Sequence, residues 1–474
     1  MIHPDQIQEK LAPFTKTKEA DKTGITFLRA SLQVSRFANS SIHQHMNDEN
    51  QIIYFRALCN GRLGVASTNS LAEHNLKETF KKALHIAKLK IESRLKRDIP
   101  SFRPIETIAG KVSPKTIHAS AMRRAKILRD IFIEGRNLKI GFAGNFHNGL
   151  TQTAVLYPGG LMNYQDHSFC GVKFIAAHNG ASGYAAGVDY DIDKLRPGET
   201  ADKAVEKCLL GLKKTALAPG RYDVILEPAA VAELILWLNY IGFGAKSYLE
   251  ETSFLYNKSS RPGGRGLASY KPEGDGAASD SRSHSQSHRR ITDKEICIYD
   301  YGRDKNSFIL PFDFEGSRRR KTYLIKNGIA QKPLTDSYYA KLLKIRNTGH
   351  ANFPDDTEGP LGYNLIMRNG NMDKGEMIKS AGCAVLITRF HYVNGFLDTR
   401  KARMTGMTRD GTFLVEDGKI KCGIKDMRFN ESILEAFSRV KHISRERKII
   451  ADPLESLGSV YAPSLYIKDF NFIS

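Results

Sequence analysis

Short runs of alternating apolar and polar residues, several of them ending at Asn-Gly or Asp-Gly, dominate the pattern of this chain. Five such dipeptides occur, at Asn60-Gly61, Asn148-Gly149, Asn179-Gly180, Asn327-Gly328 and Asp417-Gly418. They favour the two-residue turns of β-hairpins, because both central residues of a type I′ turn have positive φ. The pattern therefore predicts extensive antiparallel sheet, with hairpin turns at these five positions.

Apolar residues at helical spacing separate the hairpins in the N-terminal half. Residues 76–91 carry an apolar side chain every three or four positions, which predicts an amphipathic helix. A second helix is predicted to begin at Ser113-Pro114, a capping residue followed by a proline suited to the first turn. A third is predicted over residues 201–217. Helices interspersed among hairpins, without regular alternation of strand and helix, indicate the α+β class.

Size and composition are those of a globular chain with several domains. The 474 residues exceed one ordinary domain, and 41% are hydrophobic and 26% charged. The longest apolar run, residues 229–245, is shorter than the roughly 20 residues of a membrane-spanning helix. The N-terminus lacks the apolar stretch of a secretory signal. Six scattered cysteines without a CxxC pair suit a reducing compartment, so we expect a cytoplasmic protein without a membrane partner.

Basic residues are in large excess. Lys and Arg total 71 against 51 Asp and Glu, which gives a formal net charge of +20. Such an excess favours contact with polyanions. The basic residues are spread along the whole chain, however, and no RNP aromatic motif, zinc finger or helix-turn-helix accompanies them. Nucleic-acid binding is therefore an alternative function for which the sequence offers no recognisable motif.

Three segments resemble the TldD/PmbA family, also described as modulators of gyrase and as a metalloprotease family. They are residues 35–69, which begin SRFANSSIHQ, residues 217–255, which begin LAPGRYDVILEPAAVAELILWL, and residues 387–420, which include TGMTRDGTFLVEDG. The segments occur in the family's order and near its spacing. The likeness therefore covers almost the whole chain.

The resemblance implies a fold and a type of activity. The expected fold has an α+β N-terminal domain, a middle α+β domain and a larger β-rich C-terminal domain. We place these at residues 1–98, 113–217 and 218–474, with a mobile Gly-, Ser- and Arg-rich insertion at about 258–292. The resemblance also implies a cytosolic dimer that acts on peptides or unfolded segments. Its second subunit is either the same chain or a TldD-like one.

The zinc-binding motif of the family is missing. TldD-like members bind zinc through the histidines of HExxxH, and the glutamate acts as a general base on the water at the open coordination position. The matching stretch here is Asn239-Tyr240-Ile241-Gly242-Phe243-Gly244, and no histidine occurs between His178 and His284. The chain thus resembles the PmbA side of the family. We expect no cofactor in this chain, and any zinc to belong to a TldD-like partner.

A second hypothesis is a metallopeptidase with a different metal site. His350 follows a glycine in a loop-like stretch, His391 interrupts an apolar strand, and Glu250 follows the degenerate motif. Two imidazoles and a carboxylate are a ligand set of catalytic zinc sites. The alternative for each histidine is a hydrogen-bonded residue in a β-rich interior. The sequence leaves both interpretations open, and whether the chain is an enzyme by itself stays undecided at this point.

Candidates for substrate contact lie in two of the family-like segments. An arginine can pair with a peptide carboxylate through two parallel hydrogen bonds. Asp410-Gly411, in the same segment as the two candidate arginines, is predicted to form a turn. The candidates are Arg403, Arg409, Gly242 and Gly244.

Overall fold

The computed structural model of the chain describes residues 1–91, 96–109, 111–256, 289–452 and 458–474. Residues 258–288 of the predicted insertion at 258–292 therefore lie outside the described residues. Its last residues are described: Arg290 bridges to Ile329, and the side chains of Ile291 and Thr292 are buried.

A six-stranded antiparallel sheet, in the order β3-β2-β1-β4-β5-β6, forms the N-terminal part. Its strands are β1 (Lys22–Ala38), β2 (Ser41–Cys59), β3 (Arg62–Thr68), β4 (Gly141–Leu156), β5 (Met162–His178) and β6 (Ala181–Asp189). β1 pairs with β4 from Ile25↔Leu156 to Phe37↔Gly144. The predicted first and middle domains thus share one continuous sheet, while their boundaries at 98 and 113 stay predictions.

Five helices in the described residues pack against this sheet. They are α1 (Pro4–Thr15), α2 (Glu73–Leu89), α3 (Pro114–Ile117), α4 (Ala121–Asn137) and α5 (Pro197–Leu210). α2, predicted over residues 76–91, buries Leu76 and Phe80 in a core shared with β1 and β2. The second predicted helix is split, because Ser113 caps α3 and Ser120 caps α4 anew. α5 ends at Leu210, short of the predicted residue 217.

A twelve-stranded sheet organises the C-terminal part, in the order β11-β10-β9-β12-β18-β8-β13-β14-β15-β7, with β16 beside β14 and β18, and β17 beside β18. The strands are β7 (Lys214–Thr215), β8 (Gly220–Leu226), β9 (Ile298–Asp300), β10 (Thr322–Lys326), β11 (Ile329–Ala330), β12 (Asn364–Met367), β13 (Cys383–Asp398), β14 (Arg403–Glu416), β15 (Lys419–Ile424), β16 (Arg428–Ser432), β17 (Val440–Ile450) and β18 (Ser459–Phe472). The expected α+β class, with hairpin-rich sheets and a larger β-rich C-terminal part, is confirmed.

In the described residues of the C-terminal part, the helices beside the second sheet are α6 (Pro228–Leu238), α7 (Ala245–Leu249), α8 (Ser337–Leu343), α9 (Lys374–Lys379) and α10 (Ile433–Ser438). α6 begins with a proline in its first turn and packs on β13 and β18. Most of its side chains are fully buried, including Leu234, Ile235 and Leu238. A helix that is apolar on nearly all sides belongs in a core. Across the described ranges, we find no helix with the length and apolar character needed to cross a membrane.

Four of the five predicted hairpin turns are confirmed, and the turn at Asn148-Gly149 is wrong. That dipeptide lies inside β4, paired on both sides with β1 and β5. The buried amide of Asn148 donates to the carbonyl of Thr116 at 2.8 Å and accepts from Arg124. A Cβ at position 149 would collide with the carbonyl oxygen of Ser31, so glycine here permits close approach of two strands.

Candidate functional site

A cleft of about 810 Å³ lies between the N-terminal sheet and the C-terminal part. Strands β4, β5 and β6 supply one wall, and α6 and β13 supply another. The loop at residues 352–363 and the residues that follow β17 complete the lining. Elements from distant parts of the sequence therefore meet here, as is common for ligand-binding clefts.

The stretch that matches HExxxH forms part of this cleft. After α6 the chain continues as a π-helix at Asn239–Phe243. Tyr240 lines the cleft and is 43% exposed. Asn239, in contrast, uses its buried amide on the backbone of Gly362, donating at 3.0 Å and accepting at 2.9 Å. Single π-turns inside helices are rare and occur often at functional sites.

The donor set of this stretch does not fit a zinc ion. Both polar atoms of the Asn239 amide are already hydrogen-bonded, and a carboxamide is a poor substitute for an imidazole. The space beside Gly242 is filled by the ring of Phe254, and a Cβ at Gly244 would collide with the carbonyl oxygen of Pro360. Within the described ranges, no group of three or more His, Cys, Asp or Glu is placed to hold a metal.

Arg389 is a charged side chain of the cleft that an ion pair and an aromatic ring hold in place. Its Nε donates to Oδ2 of Asp410 at 3.0 Å, and its Nη2 contacts the same oxygen. Its guanidinium also lies 4.6 Å from the ring centroid of Tyr184 on β6. Asp410 and Gly411 have φ of 52° and 127° and lie within β14. The predicted turn at these two residues is therefore wrong. They form an irregularity within the strand, from which Asp410 reaches Arg389.

Several other ionisable groups of the cleft are paired or neutral. Lys173 lies 2.9 Å from the carboxylate of Asp452. Glu233, on α6, accepts from the indole N–H of Trp237 at 3.2 Å. Burial lowers the pKa of His147 to about 4, so its imidazole is neutral at pH 7. The cleft thus combines fixed charges of both signs with a neutral imidazole.

Three aromatic rings make mutual edge-on contacts beside the cleft. The centroid of Trp237 lies 6.1 Å from that of Tyr240 and 5.6 Å from that of Phe396, and the last two lie 5.7 Å apart. Phe396 is 58% exposed. Such rings offer a rigid apolar surface next to the polar groups.

The structure does not bring the three residues of the second hypothesis together into a metal site. His350 is fully buried, with Nε2 3.0 Å from the carboxylate of Asp300. His391 lies half-buried on β13, with its ring against that of Tyr392. Glu250 is exposed, 3.8 Å from Lys246. None of the three lines the cleft.

The predicted substrate-contact residues also lie outside the cleft lining. Arg403 donates to Asn430 on β16 at 3.3 Å, and Arg409 is half-exposed, 4.0 Å from Asp410. Gly242 and Gly244 flank the lining residues but do not face the cavity. Two features of the sequence could have located lining residues: Glu233 interrupts the apolar run 229–245, and Arg389 lies two residues before His391. The remaining lining residues have no local signal.

Two family profiles match the chain. The profile described as PmbA/TldA metallopeptidase C-terminal domain covers residues 219–474, and the one described as PmbA/TldA metallopeptidase domain 1 covers residues 31–87. Among curated proteins, the Metalloprotease TldD homolog of Buchnera aphidicola subsp. Acyrthosiphon pisum (strain APS) is 28% identical over 159 residues. That match covers 33% of this chain and 32% of the relative, so it spans about a third of the relative's length.

Solved structures share the fold along the whole chain. TldE from Thermococcus kodakarensis superposes with a TM-score of 0.78 at 17% identity, covering 98% of this chain and 99% of its own. A candidate modulator of DNA gyrase from Thermotoga maritima MSB8 gives 0.75 at 18% identity, with 95% and 96% covered. A second, from Bacteroides thetaiotaomicron VPI-5482, gives 0.77 at 16% identity, with 100% and 99% covered. Because a family profile matches more than half of its length, the chain belongs to the TldD/PmbA family.

Proposed function

We propose that this chain is a PmbA-like subunit that binds extended peptides or unfolded segments in the cleft and supplies no zinc of its own. The observation that carries the proposal is the position of β6. This strand is the edge of the six-stranded sheet, and Tyr184, Ala186, Gly187 and Val188 on it line the cleft. The carbonyl of Tyr184 accepts from Nζ of Lys207 at 3.2 Å, so the pairing proposed here involves the residues after it. An edge strand has backbone N–H and C=O groups available to pair with an extended peptide.

The side chains of the cleft support an extended peptide as the ligand. A volume of about 810 Å³ lies within the usual range for ligand-binding clefts. Arg389, fixed by Asp410, is placed to meet a carboxylate or carbonyl of the peptide, while Glu233 is placed to meet an N–H or a basic group. The exposed ring of Phe396 beside the cleft offers contact to an apolar side chain.

Proteolysis, in this proposal, belongs to a complex. The stretch from Asn239 to Gly244 lacks the donors that activate water on zinc, so peptide cleavage requires an HExxxH-bearing subunit. The present chain then binds and orients the substrate segment. Dimerisation with itself or with a TldD-like chain, and a cytoplasmic location, are parts of the same proposal.

Peptide binding tests the cleft directly. Ala186 is exposed on β6 within the cleft, whereas Ala177 is exposed on the neighbouring β5 outside the lining. Ala186→Trp should weaken the binding of a fluorescein-labelled unstructured peptide by roughly tenfold or more, because the indole occupies the space of the ligand. Ala177→Trp, a matched control, should leave the anisotropy titration unchanged. Equal affinities for the two variants would place the peptide elsewhere.

Metal analysis tests the division of roles. We expect no stoichiometric zinc in the purified chain, and zinc together with peptidase activity only after co-expression with an HExxxH-bearing relative. Zinc bound to the chain alone, and lost on His391→Ala, would revive the hypothesis of a different metal site. It would overturn the role of a subunit without zinc.

A further inference from the structure

A second cavity, of about 540 Å³, lies in the C-terminal part and shares no lining residue with the cleft. Among the residues that the structure describes, no Asp or Glu lines it. Its charged lining residues are all basic: Arg289, Arg320, Lys321, Lys326, Lys332 and Arg346. We call this set the basic groove. Positive charge that is spread along the sequence is therefore concentrated here, in a concave surface that strengthens its field.

The cations of the basic groove lack carboxylate partners among the residues that the structure describes. Four consecutive basic residues, Arg318–Lys321, direct their side chains partly into the interior and partly to solvent. Arg319 points inward and pairs with the buried Asp300 at 2.6 Å, whereas Arg318 and Arg320 are exposed. Desolvation and the neighbouring Arg346 and Arg318 lower the pKa of Arg320. Repulsion between these guanidinium groups is thus a feature that a bound polyanion would relieve.

Aromatic rings hold two of the ammonium groups in place. Nζ of Lys321 lies 4.2 Å from the ring centroid of Tyr299 and 5.3 Å from that of Tyr323, and Nζ of Lys326 lies 5.2 Å from Tyr323. Tyr248 also lines the cavity. Cation–π contacts orient the lysines before a ligand arrives, which reduces the entropy lost on binding.

The basic groove continues into a neighbouring cavity of about 580 Å³, since Arg289 and Ile291 line both. Five basic residues line the extension, four of them in addition to the shared Arg289, and Asp293 and Glu435 are its acidic lining residues. Those basic residues are Arg289, Arg290, Lys294, Arg400 and Lys401. The two cavities together form one continuous, mainly basic surface in the C-terminal part.

We propose that the basic groove binds a single-stranded nucleic acid through its backbone phosphates. Guanidinium groups such as those of Arg320 and Arg346 match the oxygens of a phosphate. The rings of Tyr248 and Tyr323 supply faces against which bases can stack, as in positively charged grooves that bind single strands without sequence preference. These rings favour a nucleic acid over an acidic peptide, whose side chains have no aromatic face. The site is independent of the peptide cleft.

A matched pair of charge-reversal variants tests the proposal. Arg320→Glu combined with Arg346→Glu changes two exposed groups of the basic groove. Lys81→Glu combined with Lys82→Glu makes the same change in net charge on the exposed face of α2. The probe is a fluorescein-labelled single-stranded oligothymidine, titrated by anisotropy at several salt concentrations. The wild type and the α2 variant should bind alike, and the groove variant roughly tenfold or more weakly, with a shallower salt dependence.

Three outcomes would overturn the proposal. In the first, the wild type does not bind oligothymidine at low salt. In the second, both double variants bind it equally weakly. In the third, polyglutamate binds the wild type more tightly than oligothymidine does, and the groove variant loses this binding. The last outcome would assign the groove to acidic peptides. Thermal unfolding of each variant verifies that the fold is intact. Unchanged binding of the unstructured peptide by the groove variant shows that the two sites are separate.

Discussion

Nε2 of His350 lies 3.0 Å from Oδ1 of Asp300, and neither side chain is exposed to solvent. Arg319 contacts the same oxygen at 2.6 Å, while the backbone N–H groups of Tyr363 and Asn364 donate to the other at 2.8 Å. Burial would raise the pKa of the Asp300 carboxyl, but attraction to Arg319 and His350 lowers it to about 2. His350 therefore belongs to a buried ionic cluster in the C-terminal part.

Removing the charge of Asp300 should destabilise the protein strongly. Asp300→Asn leaves the buried guanidinium of Arg319 without its counter-ion, and such a loss typically costs about 3–5 kcal/mol of unfolding free energy. Urea denaturation measures the change. Asp202→Asn, at an exposed position on α5, is the control and should change stability by less than about 0.5 kcal/mol. A similar small effect for both variants would show that the cluster contributes little.

Two histidines with lowered pKa values, the buried His147 and the half-buried His167, should make stability depend on pH. Burial lowers the pKa of His147 and of His167 to about 4, against about 6.5 in an unfolded chain. Between these values the unfolded chain binds protons that the folded protein does not. Stability is therefore lost as the pH falls from about 6.5 through 4, by roughly 3 kcal/mol at most for each histidine. Thermal unfolding recorded between pH 7.5 and 4.5 measures the slope.

Substitution separates the histidine effect from other titrations. His167→Gln retains a polar partner for Thr151, which lies 2.9 Å from Nε2, and should flatten the loss of stability at acidic pH. His74→Gln, on the exposed surface of α2, should leave the slope of the wild type unchanged. If the His167 variant and the wild type lose stability in parallel, the burial of His167 does not cause the effect.

Glu227 should couple the N-terminal part to the C-terminal part. Its carboxylate lies 2.5 Å from Nζ of Lys207 on α5 and 2.7 Å from Nζ of Lys374 on α9. Burial would raise the pKa of Glu227, and the two lysines lower it to about 2. Glu227→Gln should cost roughly 3 kcal/mol of unfolding free energy and weaken peptide binding. Glu134→Gln, exposed on α4, is the control for urea denaturation and should behave as the wild type.

Local turn signals are sufficient to predict four of the hairpins, because Asn-Gly and Asp-Gly readily adopt the positive φ angles that these turns require. At Asn148-Gly149 tertiary demands decide the outcome. Asn148 hydrogen-bonds buried groups of α3 and α4, and Gly149 admits the backbone of β1. Asn-Gly can therefore also lie inside a strand, where the asparagine forms buried hydrogen bonds and the glycine allows a neighbouring strand to approach closely.

The cleft and the basic groove were less accessible from the sequence. The resemblance located the Asn239–Phe243 stretch, but Lys173, Arg389 and Asp452 meet it only through the packing of two sheets. The charge run Arg318–Lys321 is visible in the sequence. Which of its side chains faces solvent depends, however, on the burial of Asp300. Patterns along a chain report faces of elements, whereas sites formed between elements depend on the tertiary arrangement.

Restoring the HExxxH motif should not restore zinc binding. The graft Asn239→His, Tyr240→Glu and Gly244→His supplies the missing donors. A side chain at position 244, however, collides with the carbonyl oxygen of Pro360. The loss of the Asn239 amide also removes both hydrogen bonds to Gly362. We therefore expect less than stoichiometric zinc by elemental analysis and a lower melting temperature.

Tyr240→Glu alone separates the two effects, since Tyr240 is partly exposed in the cleft. This single variant should remain nearly as stable as the wild type, whereas Gly244→His alone should account for most of the destabilisation of the graft. Stoichiometric zinc in the graft, with an unchanged melting temperature, would mean that the Pro360 loop yields readily. The identity of the side chains, and not the limited space around Gly244, would then explain why the wild type does not bind zinc here.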